Sequence, residues 1–294
     1  MQPNIIKTYR LTRLAPTPSG YLHLGNVLSF ALTVGLAKKT GARVLLRIDD
    51  LDRERADPRY IADIFDTLHF LEIPWDEGPA DALAFERDWS QVHRMPLYEQ
   101  ALKALKDHLY ACNCSRSDIA RISPDGAYPG TCRDLHLPLD GENVNWRFRA
   151  DPGIMKDFVI RKKDGFPAYQ LTSIIDDAHF GVDLVVRGED LRPSTETQLY
   201  LSGFLPDDPL RNTTFYHHPL LLDKENRKLS KSEGATSIQF LRKAGKTRAD
   251  VYALLAGHLG IKTEVTNLDT LTDTIHFMSG GADTGKTNSL RVDL

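Results

Sequence analysis

The chain has 294 residues, 41% hydrophobic and 26% charged, the mix of an ordinary soluble globular protein with ample core for one large or two ordinary domains. A net charge of −3 excludes a broadly basic nucleic-acid binder, so any RNA contact must use a local basic face. No 18-residue apolar run is present and residues 1–10 lack a signal-peptide core, so a soluble cytoplasmic protein is expected. Residues 8–15 predict a first strand ending at Pro16. Over 23–40, apolar residues recur at helical spacing (Leu24, Val27, Leu28, Ala31, Leu32), and Gly41 stands where a helix-ending glycine belongs. The apolar run 44–48 predicts a buried parallel strand, and Pro58 opens a helix through Leu71 with Ile61, Ile64, Phe65 and Leu68 on one face. This β-α-β-α order predicts an α/β fold with right-handed crossovers. Its ligands would sit outside the carboxyl ends of the strands, where residues 13–20 and 49–52 fall.

Residues 110–151 hold all three cysteines and six Gly or Pro, without helical periodicity, and read as a small inserted subdomain. It divides the catalytic region into 1–109 and 152–222, with 223–294 as a loop and short helical region. Strands are predicted at 145–149 and 158–162 (a pair) and at 182–186, with a helix at 194–204. Residues 215–222 read as the last sheet strand, followed by helices at 238–244 and 250–260. The polar, Gly-rich stretch 279–294 is expected to fray.

Two segments carry the chemistry. In the first, Pro16 and Pro18 fix an extended approach, Gly20 permits the turn, and His23-Leu24-Gly25-Asn26 opens a helix. Free N–H groups and the positive dipole end suit a triphosphate there. The second, some 200 residues on, is Lys228-Leu229-Ser230-Lys231-Ser232. Expelling pyrophosphate from ATP needs close backbone, a His donor near phosphate and mobile cations for developing charge. Alone, His23 reads as a helix-start histidine and the lysines as a surface loop. In order and well separated, the two segments resemble the ATP signatures of class I aminoacyl-tRNA synthetases, most of all the glutamate-type branch.

The resemblance spans about residues 8–260 and implies a Rossmann-like doubly wound parallel sheet with an inserted zinc-type subdomain. It implies ATP binding by His23, Gly25, Asn26, Lys228 and Lys231, with Mg²⁺ accompanying the nucleotide, and catalysis by His23, Asn26 and the two lysines. Asn26 departs from the second His of the family motif, and Leu229 from its usual Met. Arg13, Leu14, Ala15, Pro16 and Thr17 would hold the amino acid, and Asp49, where relatives usually carry Glu, would grip its α-ammonium. Asp is also found there in glutamine-type enzymes, which leaves glutamate against glutamine open. The plainer reading is a loop of carboxylates that binds solvent or caps the next helix. Tyr169 would hydrogen-bond the substrate's amino end and Arg187 would pair its side-chain carboxylate, unless Arg187 instead bridges to Glu189 or Asp190. An Arg there can enforce acid over amide, because a neutral analogue leaves its charge unpaired.

Three cysteines within 21 residues are too odd a number for disulfides in a cytoplasmic protein. Zinc wants about four N, S or O ligands. Cys112-x-Cys114, then Tyr128-x₃-Cys132, resembles the zinc subdomain of glutamyl-queuosine tRNA(Asp) synthetases, which implies one structural Zn²⁺ held by these four residues. His136 or a water competes with Tyr128 as fourth ligand, and three free thiols are the other reading.

Full-length glutamyl-tRNA synthetases continue into an anticodon-binding region, whereas this sequence stops soon after the lysine loop. With the cysteines, that points to a monomeric catalytic domain that activates L-glutamate with ATP and transfers it to queuosine in the anticodon stem-loop of tRNA(Asp). Residues 224–231 and 242–248 would supply the basic face, although the second stretch reads equally as a solvated charged surface. A ligase that charges the tRNA 3′ end or another amine-bearing acceptor, and a catalytically silent amino-acid- or RNA-binding paralogue, are the alternatives.

Overall fold

The computed structural model describes residues 7–221, 237–275 and 287–289; the lysine segment 228–232 lies outside them. In chain order the first elements are β1 (Leu11–Leu14), α1 (Leu24–Thr40), β2 (Arg43–Leu46), α2 (Pro58–Phe70), α3 (Ala82–Ala84), α4 (Met95–Ala104), β3 (Leu109–Cys112) and α5 (Arg116–Ile122). Next come β4 (Asn145–Phe148), β5 (Phe158–Arg161), α6 (Tyr169–Phe180), β6 (Leu184–Gly188), α7 (Arg192–Ser202) and β7 (Thr214–His218). Later in the chain come α8 (Ile238–Lys243), α9 (Arg248–Leu259), α10 (Leu268–Asp273) and β8 (Thr287–Ser289). The chain forms two compact units, one of Met1–His93, Gly181–Arg192 and Asn212–Leu294, the other of Arg94–Phe180 and Pro193–Arg211.

The first unit is a parallel α/β layer structure. β1 and β2 pair in parallel from Leu11↔Arg43 to Leu14↔Leu46. β6, β7 and β8 also pair in parallel, with Leu184↔Thr214 and Phe215↔Thr287 in register. Asp183 joins the two sets: its N–H donates to Leu11 O (3.1 Å), its O accepts from Thr214 N (2.9 Å), and its carboxylate accepts from Arg10 N (2.9 Å) and Leu11 N (3.0 Å). The lateral order is therefore β2-β1-β6-β7-β8. The chain steps outward from β1 in one direction to β2 and in the other from β6, which makes β1/β6 the switch point of a doubly wound sheet.

Helix α1 is apolar on most sides because it is covered on most sides, with Val27, Leu28, Ala31, Leu32 and Leu36 in one cluster with Leu14, Leu46 and Val186. Burying each such leucine stabilises the fold by about 2 kcal/mol. Gly41 ends α1 at φ +76°, a left-handed cap that favours glycine. Helix α2 is amphipathic, capped by Asp57 and started by Pro58, and it buries Ile61, Ile64, Phe65 and Leu68.

Two sequence expectations are corrected in this unit. β7 is not the last strand of the sheet, because residues 287–289 of the supposedly fraying stretch pair beside it as β8. The polar sequence Thr-Asn-Ser gives no apolar signal for a strand whose backbone does the pairing.

In the second unit β3, β4 and β5 form an antiparallel sheet, with Tyr110↔Arg147 and Phe148↔Phe158 in register. Residues 116–122 form α5 with a Ser115–Asp118 capping box, so the cysteine region is not without helix. Asp176, which has no assigned role from sequence, accepts from Arg94 Nε (2.7 Å), Arg94 Nη2 (3.3 Å) and Tyr98 OH (2.7 Å), tying α6 to α4. All three side chains are buried. No described helix is long and apolar enough to cross a membrane.

Candidate active site and cysteine centre

The N-terminus of α1 is built by its own sequence. His23 caps the helix in extended conformation; its Nδ1 accepts from Gly25 N (3.1 Å), and Asn26 Oδ1 accepts from His23 N (3.0 Å). Asn26 therefore closes a capping box. Since a backbone N–H only donates, the facing amide atom must be oxygen, and Nδ2 is the end left to donate elsewhere. The first turn carries no acidic side chain, so its positive end is not neutralised locally. Ser237 bridges His23, and Ile238 N donates to Leu22 O (2.8 Å). Residues 237 and 238 thus lie beside the α1 N-terminus, and Lys228 and Lys231 lie outside the described residues.

Arg13, Leu14, Ala15, Pro16 and Thr17 leave the carboxyl end of β1 alongside the chain leaving β2. Arg47 N donates to Leu14 O and Asp49 N to Pro16 O, both at 2.9 Å, which extends the parallel ladder beyond the strands. Arg13 is buried and Thr17 exposed. Asp49 is not a free surface carboxylate, since Arg47 grips it through Nε–Oδ1 (2.8 Å) and Nη2–Oδ2 (3.0 Å), with both side chains buried. Its neighbour Asp50 accepts from Arg53 Nη1 (2.7 Å), Ser90 Oγ (2.6 Å) and Gln91 N (2.8 Å), while Gln91 Oε1 accepts from Leu51 N (3.1 Å). The sequence reading missed Arg47, Ser90 and Gln91. The signal for Arg47 was its i, i+2 spacing from Asp49, which puts both on one side of an extended chain.

Arg187 is buried near the end of β6, level with His217 on β7, and its guanidinium lies 5.0 Å from the Phe215 ring centroid. Glu189, one of the partners considered for it, is held by Arg192 (Nη2–Oε2, 3.0 Å), which keeps its pKa below the ordinary value. Burial, together with the Arg187 and Arg192 cations, lowers the His217 pKa to about 4. Tyr169 belongs to the second unit, where it opens α6 and is 39% exposed.

The cysteines meet. The Cys112, Cys114 and Cys132 sulfurs lie within 4.8 Å of one another, Cys114 and Cys132 at 3.5 Å. Tetrahedral zinc with sulfur bonds of about 2.3 Å spaces thiolates roughly 3.8 Å apart, so the cluster fits such an ion. Tyr128 is buried among them; its OH accepts from Cys132 N (2.8 Å) and bonds the Cys112 thiol. Burial opposes a Cys112 thiolate, but Tyr128 and Arg147 outweigh it and lower its pKa. Burial and the neighbouring sulfurs push Cys114 up to about 12. His136 sits on an exposed turn at φ +50° and is not part of the cluster. The loop is anchored by Asp157, which accepts from Tyr110 OH (2.7 Å), Arg133 Nη1 (2.8 Å) and Ala150 N (2.9 Å).

Of the two basic stretches, 224–231 lies outside the described residues. In the other, Arg242 pairs with Asp63 (3.0 Å) and Asp66 (3.4 Å), and Arg248 with Glu72. Their charge is spent on α2 and the residues after it, leaving Lys243 and Lys246 exposed.

The family described as tRNA synthetases class I (E and Q), catalytic domain, matches residues 11–125 and 140–275. A protein of Parasynechococcus marenigrum named Glutamyl-Q tRNA(Asp) synthetase is 40% identical over 86% of this chain and 84% of its own length. One of the same name from Nocardia farcinica is 38% identical over 85% and 84%. The fold is similar to the crystal structure of a glutamate-tRNA synthetase from Elizabethkingia anophelis, with a TM-score of 0.65 and 21% identity over 90% of this chain and 65% of that one. Matched over most of its length, the chain belongs to the class I tRNA synthetases of the glutamate and glutamine type.

Proposed function

We propose that the protein activates L-glutamate with ATP and transfers it to queuosine in the anticodon loop of tRNA(Asp). The observation that carries this reading is the 38–40% identity to proteins named for that activity, over 84% of their own lengths. In the first step the glutamate α-carboxylate attacks the α-phosphorus of Mg²⁺-bound ATP, forming glutamyl-adenylate and releasing pyrophosphate. The α1 N-terminus, His23, the Asn26 amide N–H, Lys228 and Lys231 stabilise the growing phosphate charge. Arg13 and Asp49 orient the amino-acid end with Tyr169, and Arg187 pairs the side-chain carboxylate. A guanidinium makes a stronger, charge-assisted pair with a carboxylate than with a neutral amide, which favours acid over amide.

Cys112, Cys114 and Cys132, with Tyr128, would hold one zinc ion that ties a loop with little core of its own. The protein acts as a cytoplasmic monomer on a tRNA anticodon stem-loop, recognised by shape, stacking and phosphate contacts.

Labelled glutamate offered with ATP is expected on queuosine-containing tRNA(Asp) and absent from the same tRNA lacking queuosine. Nuclease mapping should place the label in the anticodon loop, and removal of the 3′-terminal adenosine should not matter. Label at the 3′ end would overturn this reading in favour of a tRNA-charging ligase.

A further inference from the structure

The loop after β2 is held from outside by two residues that the activation chemistry does not use. Beyond α3 the chain makes a π-helical turn, Phe85–Trp89, and emerges at Ser90 and Gln91. Such turns are uncommon and cluster at functional sites, because the extra residue re-aims the chain beyond it. Here it delivers three bonds to the loop. Ser90 Oγ and Gln91 N each donate to a different oxygen of Asp50, and Leu51 N donates to Gln91 Oε1. Asp50, Ser90 and Gln91 are all buried. On the other side of the loop, Asp49 N is bonded to Pro16 O, and Arg47 takes both Asp49 oxygens.

The electrostatic consequence is specific. A carboxylate already paired with a guanidinium offers an ammonium group only its remaining lone pairs, in fixed directions. The pair is close to neutral, so direction rather than net charge must select the cation. A loop that drifted by even about half an ångström would lose that direction. We propose that Ser90 and Gln91 are positioning residues for recognition of the substrate α-ammonium: by clamping Asp50 and Leu51 they aim the remaining lone pairs of the Arg47-bound Asp49 carboxylate. This rests on the glutamate activation proposed above. It assigns the specificity for an α-amino acid to a segment about 40 residues away from Asp49 in the chain.

The test is glutamate-dependent ATP–pyrophosphate exchange with the full chain and with Ser90→Ala, Gln91→Ala and Ser90→Thr, inhibited in parallel by glutarate, which lacks the ammonium. Both alanine variants should raise the KM for glutamate about tenfold, the size of one lost bond to a charged group. The KM for ATP, kcat and glutarate inhibition should stay within about twofold, and Ser90→Thr, which keeps the hydroxyl, should recover the parent KM. If glutarate inhibition weakens in step with glutamate binding, or if kcat and both KM values change together, the clamp is only structural and the proposal fails. A lowered unfolding temperature with the KM of the parent overturns it equally. Absence of glutamate-dependent exchange in the parent protein is a different failure, that of the activation reading itself.

Discussion

At the scale of single residues, Asn26 does two separable things. Its oxygen caps α1 and its N–H₂ is the end available to a phosphate. Asn26→Asp keeps the acceptor and replaces the donor with a negative charge, so thermal stability should change little while pyrophosphate exchange falls at least about tenfold. Asn26→Ala loses both and should also cost about 1 kcal/mol of stability, readable as a shifted urea midpoint. His217 gives a pH effect of known sign. Its folded pKa of about 4 lies below the ordinary 6.5, so between those values the unfolded chain takes up a proton that the folded chain refuses. The stability it contributes is complete above pH 6.5 and is lost as pH falls toward 4, on the order of 3 kcal/mol in all. Urea unfolding at about pH 7.5 and pH 4.5 should show the wild type losing more than His217→Asn. Individual site residues were legible in the sequence because their chemistry is local: His23, Gly25 and Asn26 share one helical turn. The Arg47–Asp49 pair and the Ser90–Gln91 clamp were not, since whether a loop carboxylate meets solvent or a guanidinium depends on folding around it.

Among elements, the cysteine loop and α8 make opposite predictions. The loop has a small apolar cluster of its own, Tyr110, Cys112, Tyr128 and Cys132, and all but Tyr110 are proposed zinc ligands. Cys112→Ser should therefore release zinc, measured by atomic absorption at about one ion per parent chain, and should speed amide exchange over residues 109–161. Pyrophosphate exchange should persist, because His23, Arg13, Asp49 and Arg187 belong to the other unit and Tyr169 opens α6, outside residues 109–161. For α8, Arg242 holds the buried Asp63, whose pKa is raised chiefly by burial and pulled back by that guanidinium. Arg242→Ala should cost about 2 kcal/mol of stability yet leave the salt dependence of RNA transfer unchanged. A shallower salt slope would return Arg242 to the RNA face. The long periodic helices were readable from sequence, as α1 and α2 show. Helix α6 was hidden because its buried face carries Thr172, Ser173 and Asp176, and α5 because it is only seven residues long and buries none of them.

For the molecule as a whole, the doubly wound order was implied only by the family resemblance, while a parallel sheet with right-handed crossovers could be anticipated because β1-α1-β2-α2 announces it in sequence. The position of the third strand beside β6 and β7 could not. Removing residues 287–294 would turn β7 from an interior strand into an edge, with its row of N–H and C=O groups unpaired. Such a truncation should aggregate on mild heating, followed by light scattering, while an internal control that replaces only residues 290–294 stays clear.

The parallel pairing of β7 with β8 also fixes when folding can finish. Phe215 meets Thr287 and His217 meets Ser289, contacts between strands separated by about seventy residues that include three helices. A nascent chain can assemble β1, β2, β6 and their helices as it emerges, but this sheet stays one strand short until residue 289 has cleared the ribosome. Closing so long a loop is slow, and it leaves a paired-on-one-side strand exposed in the interval. During synthesis, β7 is therefore the surface on which a holding chaperone would act.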